Sequence, residues 1–213
     1  MGATTTVLCW SGGVILPAIP RLAVEVLEDK YPQRIDFRTR TIFWRLAEEL
    51  YLGKIDGRSF CRGVVEAAGI RVTPERLEGK LLSAALPHIP ALEVLAQLPS
   101  DYRIWLVSDY PREWFGGLSS KLERYPFFSP ERLIFTADYR LEKLVPEIFP
   151  LLVRDAGQPR ESCVLIDGDS ARAVEAVKCG LPAELYVDAF RLRRSFLLRK
   201  MLPEARESHS RSR

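Results

Sequence analysis

The chain has 213 residues, 47% hydrophobic and 28% charged, a composition typical of a globular protein and inconsistent with disorder over most of its length. No apolar run approaches the roughly 18–20 residues that span a bilayer, and the N-terminus lacks the basic and apolar regions of a signal peptide. The four cysteines form no CxxC pair, and two histidines are too few for His-based zinc chemistry. We therefore expect reduced thiols in a cytoplasmic protein.

Charge is distributed unevenly along the chain. Its net charge is +3, but residues 191–213 hold eight Lys and Arg against two Glu, a balance of +6 that leaves −3 for the other 190 residues. This pattern predicts a solvated last helix followed by a disordered basic tail at 206–213. The alternative is an interaction module whose basic C-terminal helix binds an acidic partner or nucleic acid, of which we consider nucleic acid the less favoured.

Strands and helices alternate in the predicted fold. Five short runs of apolar, β-branched or aromatic residues are nearly continuous, as in strands of a parallel sheet buried on both faces: Thr5–Trp10, Tyr102–Val107, Arg132–Thr136, Cys163–Ile166 and Glu184–Val187. Helical patterns separate the last four: Glu113–Glu123, Pro146–Ala156 and Ala171–Cys179. The fold class is therefore predicted to be α/β, with a Rossmann-like parallel sheet.

The connection between the first two strands is unusually long and wholly helical in its periodicity. Residues 18–98 predict five helices: Arg21–Glu28, Thr39–Leu52, Ser59–Ala68, Pro74–Ala85 and Ala91–Gln97. Connections between a strand and its neighbour are usually far shorter. We therefore expect two domains, an α/β core formed by 1–16 and 86–205 and a helical domain formed by 17–85.

Polar side chains follow several of the predicted strands. Ser108 ends the second strand, and Asp167 and Asp169 follow the fourth, with Lys143 on the loop between the third and fourth. Because ligands of an open parallel sheet bind at the carboxyl ends of its strands, these groups are expected to lie near one another. A hydroxyl, an ammonium group and carboxylates are the groups that a phosphoryl site with Mg²⁺ uses.

Three segments in order, SDYPREWF, EKLVPEIF and VLIDGDSARAVEAVKCGL, resemble motifs of the haloacid dehalogenase (HAD) superfamily. The resemblance covers almost the whole chain and implies a Rossmann-like core with a helical cap, the cap being 17–85. It also implies that Ser108 and Lys143 bind phosphate. Asp169, with Asp167 beside it, takes the position of a Mg²⁺ ligand.

The first motif departs from this resemblance. Aligning CWSGGVIL with the family pattern Phe-Asp-Leu-Gly-Gly-Val-Leu places Trp10 at the nucleophilic aspartate and Gly12 at the acid two residues later. An indole has an N–H donor but no nucleophilic oxygen. Ala173 stands at a second carboxylate position of the last motif. The family implies Mg²⁺ as cofactor, but these replacements disfavour its binding.

The sequence therefore predicts a HAD-like pseudoenzyme that binds a small phosphorylated molecule or a protein partner. The alternative is a hydrolase that acts on a small phosphorylated metabolite by a variant or weak mechanism. We expect the Trp10 indole to fill the space of the phosphate and metal, with Lys143 stacked on it. In the alternative interpretation of the polar residues, Ser108 and Asp169 only cap the helices that follow them. The sequence does not predict an oligomeric state, and no membrane association is expected.

Overall fold

A parallel five-stranded sheet forms the centre of the molecule. The computed structural model describes residues 5–31 and 34–202, so the predicted tail at 206–213 lies outside the described residues. The strands are β1 (Thr6–Trp10), β2 (Arg103–Ser108), β3 (Leu133–Phe135), β4 (Cys163–Asp167) and β5 (Ala183–Leu185). Their order in the sheet is β3-β2-β1-β4-β5, and every pairing is parallel. The predicted α/β fold class with a Rossmann-like sheet is confirmed.

Strand register brings three candidate positions to one edge of the sheet. All residues of β1 and β4 are buried, which explains their continuous apolar pattern. Trp10 pairs with Val107, so Ser108 lies one residue beyond it on β2. Cys9 pairs with Ile166, so Asp167 lies level with Trp10 on β4. The ends of the three central strands therefore meet around Trp10.

The described part of the chain contains nine α-helices. They are α1 (Ile19–Lys30), α2 (Phe37–Tyr51), α3 (Gly57–Ala68), α4 (Pro74–Ala84), α5 (Ile89–Ala96), α6 (Arg112–Leu122), α7 (Ile148–Ala156), α8 (Ser170–Lys178) and α9 (Ala189–Leu198). Side chains of Asp36, Asp56 and Thr73 accept hydrogen bonds from the first turns of α2, α3 and α4. None of the helices among the described residues has the length and apolar composition required to cross a membrane.

The long connection after β1 is helical. Among its described residues between 17 and 85 it consists of α1–α4 and contains no strand. Aromatic and polar contacts join it to the core. The rings of Phe60 and Trp114 meet edge to face at 6.1 Å, and the Trp114 indole donates to Glu78. The Thr136 hydroxyl donates to the carbonyl oxygen of Tyr51 at 2.9 Å, which seats the end of α2 on the sheet.

Candidate functional site

Trp10 occupies the carboxyl end of β1 and is fully buried. Its Nε1–H donates to Oδ2 of Asp109 at 3.1 Å. The guanidinium of Arg172 lies over its ring, with Cζ 3.8 Å from the ring centroid. The indole is therefore enclosed by one carboxylate and one cation at the end of the central strand.

Asp109, directly after β2, is held by three donors from the last residue of β1 and the loop that follows it. Besides Trp10, the Ser11 hydroxyl donates to Oδ1 at 3.0 Å and the Gly12 backbone N–H donates to the same oxygen at 3.1 Å. The side chain is buried. Burial raises the pKa of Asp109, against the opposing effects of Arg172 and of the hydrogen bonds from Trp10 and Ser11. Asp109 thus ties the ends of β1 and β2 together.

Close packing leaves no room for an acid at position 12. A Cβ on Gly12 would lie 2.7 Å from Oδ1 of Asp109, and still closer to Oδ2. The neighbouring loops are equally tight, since a Cβ on Gly168 would lie 2.6 Å from the carbonyl oxygen of Gly13. Gly13 itself has a φ of 84°, a conformation that favours glycine. The carboxylate of Asp109 occupies the space that a side chain at position 12 would enter.

Arg172, in the first turn of α8, forms a two-pronged ion pair with Asp167. Nη2 donates to Oδ1 of Asp167 at 2.7 Å, and Nε donates to Oδ2. Asp167 is fully buried and the Arg172 side chain is 11% exposed. Burial acts to lower the pKa of Arg172, but its hydrogen bonds with Asp167 and the charge of that carboxylate raise the pKa overall. The pair is a charge-assisted, bidentate contact of the strong kind.

The remaining predicted site residues are divided between the interior and a cleft. The buried Ser108 hydroxyl donates to the carbonyl oxygen of Tyr110 at 3.1 Å and accepts from its N–H at 3.2 Å. Lys143 is exposed, and Asp169 is half-buried at the start of α8. These two side chains line a cleft of about 630 Å³ between α2 and α8. The structure therefore brings Lys143 and Asp169 together and keeps Ser108 in a local turn.

Two expectations about individual side chains can be compared with these contacts. The prediction that Lys143 stacks on Trp10 is wrong, because Arg172 covers the buried ring while Lys143 lies exposed in the cleft. Asp169 does cap a helix, since its carboxylate accepts from the N–H of Arg172 at 2.9 Å.

A divalent metal does not fit the residues present. The Asp109 carboxylate accepts from Trp10, Ser11 and Gly12, Asp167 is occupied by Arg172, and Asp169 caps α8. Among residues 5–31 and 34–202, no three His, Cys, Asp or Glu side chains are grouped as metal ligands. Ala173, at the second carboxylate position, is buried and has no ligating atom. We therefore derive no chemistry through Mg²⁺ in this chain.

Sequence reasoning assigned no role to the two polar residues that organise the site, Asp109 and Arg172. Asp109 follows a strand end, but nothing in the sequence indicated that it would accept from Trp10. Arg172 stands three residues after the capping Asp169, in a first helical turn, where the helix dipole favours acidic side chains over basic ones. Its pairing with Asp167 therefore had no clear signal in the sequence.

The chain resembles known proteins in structure and not detectably in sequence. No family model matches the sequence, and no curated protein matches it significantly. A HAD family enzyme from Bacteroides thetaiotaomicron superposes with a TM-score of 0.69 at 19% identity, covering 88% of this chain and 95% of that chain. Its complex with magnesium and inorganic phosphate superposes with a TM-score of 0.65 at 19% identity, over 88% and 96% of the two chains.

Two further solved structures share the fold. L-2-haloacid dehalogenase from Xanthobacter autotrophicus, with chloropropionic acid covalently bound, has a TM-score of 0.66 and 14% identity over 94% of this chain and 85% of that chain. A protein from Porphyromonas gingivalis described as a predicted HAD-like family hydrolase has a TM-score of 0.60 and 17% identity over 93% of this chain and 99% of that chain. At these identities the likeness shows a common fold, the α/β fold of HAD enzymes.

Proposed function

We propose that the chain is a member of the HAD superfamily that has lost aspartyl phosphotransfer and acts as a pseudoenzyme that binds a ligand or a protein. The observation that carries this proposal is the buried Trp10 at the end of β1, enclosed by Asp109 and Arg172. The fold shared with HAD enzymes and the three resembling sequence motifs support the family assignment. Helices α1–α4 would then serve as the cap.

The chemistry of the enclosed residues supports the loss of catalysis. Attack on phosphorus requires an oxygen nucleophile, and an indole has none. Cys9 offers no substitute, because its side chain is buried and burial raises the pKa of its thiol. The Ser11 hydroxyl donates its hydrogen to Asp109, which is itself held by two further donors. Position 12, where the family places its general acid, is a glycine with no side chain to donate a proton.

The cleft between α2 and α8 supports a binding role. Arg45 and Lys143 line it together with the carboxyl groups of Glu48, Asp169 and Glu175, so its charge is mixed. The two cations, with the Trp44 ring that is 54% exposed, are the groups in the cleft that suit a small phosphorylated molecule. The alternative, an interaction role for the basic C-terminal helix, stays a prediction. Helix α9 carries Arg191, Arg193 and Arg194, but no contact of the described residues tests a partner, and residues 203–213 lie outside the described residues.

Turnover and binding assays test the proposal separately. We expect no phosphate release above background from p-nitrophenyl phosphate or a panel of phosphomonoesters with Mg²⁺, for the wild type and for Lys143→Ala alike. In a thermal-shift screen of the same phosphomonoesters, a hit should lose its effect in Lys143→Ala and keep it in Lys30→Ala, a lysine that pairs with Asp29 at the surface and does not line the cleft.

Mg²⁺-dependent turnover that disappears in Lys143→Ala would establish the alternative, a hydrolase with a variant mechanism. In that case Trp10 would be an accessory group beside another nucleophile, and the pseudoenzyme proposal would be withdrawn.

A further inference from the structure

Carboxylates from three places in the fold lie around Arg172 and the Trp10 ring on which it stacks. Asp167 at the end of β4 binds it with both oxygens, through Nη2 at 2.7 Å and through Nε. Asp109 after β2 accepts from the Trp10 indole that the guanidinium covers, and Asp169 at the start of α8 accepts from the backbone N–H of Arg172. The charge of each also raises the pKa of Arg172. One internal cation thus lies among acidic groups from two strand ends and one helix start.

Contacts of its backbone, its flat face and its edge fix the position of this guanidinium. Its backbone N–H donates to Asp169 at 2.9 Å, which places residue 172 in the first turn of α8. Its flat face lies on Trp10, and its edge meets Asp167. Only a planar group can stack on a ring and pair with a carboxylate along its edge at the same time, which favours arginine over lysine.

Electrostatic compensation requires a cation at this position. Asp109 and Asp167 are both buried, and carboxylates in that environment are strongly destabilising unless a positive charge or hydrogen-bond donors compensate them. Hydrogen-bond donors from the β1 loop serve Asp109, whereas Arg172 serves Asp167. Acidic groups that gather at one point in other proteins are commonly compensated by a bound divalent cation.

We propose that Arg172 is a built-in cation, which compensates the acidic groups at the strand ends in place of a bound divalent metal. The wild-type chain then reaches the same folded state with or without Mg²⁺. Removing the guanidinium leaves the negative charge of Asp167 and its acidic neighbours uncompensated, and an added divalent cation can offset part of that charge. The proposal concerns the folded state alone, so it stands independently of whether the chain turns over a substrate.

Thermal unfolding of four proteins tests the proposal: the wild type, Arg172→Gln, Arg172→Lys and the surface control Arg154→Gln, whose arginine is 63% exposed. Each is melted in EDTA, in 10 mM MgCl₂ and in NaCl of equal ionic strength. Loss of one partner of a buried pair is expected to lower the melting temperature of Arg172→Gln by about 10 °C. Mg²⁺ should restore about a third of that loss, as expected for a millimolar site.

The other three proteins define the controls. Wild type and Arg154→Gln should melt at the same temperature in all three buffers. Arg172→Lys keeps the positive charge but loses the stacking on Trp10 and the bidentate pairing with Asp167. It should therefore melt between the wild type and Arg172→Gln and be insensitive to Mg²⁺. A wild type stabilised by Mg²⁺ overturns the proposal. So does Arg172→Gln that melts within about 2 °C of the wild type or ignores Mg²⁺.

A second measurement decides the question if Arg172→Gln does not fold in any buffer. The Trp10 indole N–H of the wild type, labelled with ¹⁵N, is followed by NMR while MgCl₂ is added. Because this N–H donates to Asp109 beside the guanidinium, its resonance should stay unchanged up to 10 mM if Arg172 already fills the place of the cation. A saturable millimolar shift, absent with NaCl, would contradict the built-in cation.

Discussion

Replacing the Trp10 indole by a phenyl ring is expected to reduce the stability of the fold substantially. Trp10→Phe removes the Nε1–H that donates to Asp109, whose side chain is buried. A hydrogen bond to a charged group contributes about 1.5–3 kcal/mol. The smaller ring also leaves a void of roughly 40 Å³, which costs about 1 kcal/mol at ~24 cal/mol per Å³. We therefore expect a loss of about 3 kcal/mol in the free energy of unfolding.

Urea unfolding at pH 7, followed by far-UV circular dichroism, measures this loss, provided that the slopes of the wild type and the variant agree. Trp105→Phe is the matched control. Its Nε1 is buried with no hydrogen-bond partner in the described part of the chain, so removing that N–H releases an unsatisfied donor. The control should cost less than about 1 kcal/mol. If Trp10→Phe costs no more than Trp105→Phe, the hydrogen bond to Asp109 does not stabilise the site as described.

Three further predictions follow from the same packing. Gly12→Ala should lower the free energy of unfolding by about 1–3 kcal/mol, because its Cβ would enter the space of the Asp109 carboxylate. In the same urea assay the control Gly116→Ala on α6, with no atom near its Cβ, should be neutral or stabilising, and equal effects of the two substitutions would contradict the tight fit at Gly12. Because burial raises the Asp109 pKa, the folded state binds its proton more tightly than the unfolded chain does. The wild type should therefore lose stability relative to Asp109→Asn as the pH rises from about 4 towards neutrality. A wild type that gains stability relative to Asp109→Asn over this pH range would refute the sign. In native protein only the half-buried Cys179 should react rapidly with a thiol reagent, whereas all four thiols should react in urea. Rapid reaction of a second thiol in native protein would contradict the burial of Cys9, Cys61 and Cys163.

Much of the architecture could be predicted from local patterns. Strands buried on both faces leave continuous apolar runs, and β1 and β4 show this pattern over their full length. The ends of the elements were predicted less well. Helix α7 begins at Ile148 and not at the predicted Pro146, and β5 ends at Leu185 and not at the predicted Val187. Helix ends depend on packing and capping as well as on local propensity, which explains these shifts.

The amino-acid sequence by itself determined that no nucleophilic carboxylate stands at the end of β1, because the chemistry of an indole does not depend on its surroundings. Only the tertiary structure decided what surrounds Trp10. Arg172 and Lys143 are both cations with long side chains, and both lie more than a hundred residues from Trp10 in the chain. Arg172 reaches the ring because Asp169 sets the first turn of α8 and Asp167 orients the guanidinium, contacts that depend on three-dimensional positions and leave no periodic signal in the sequence.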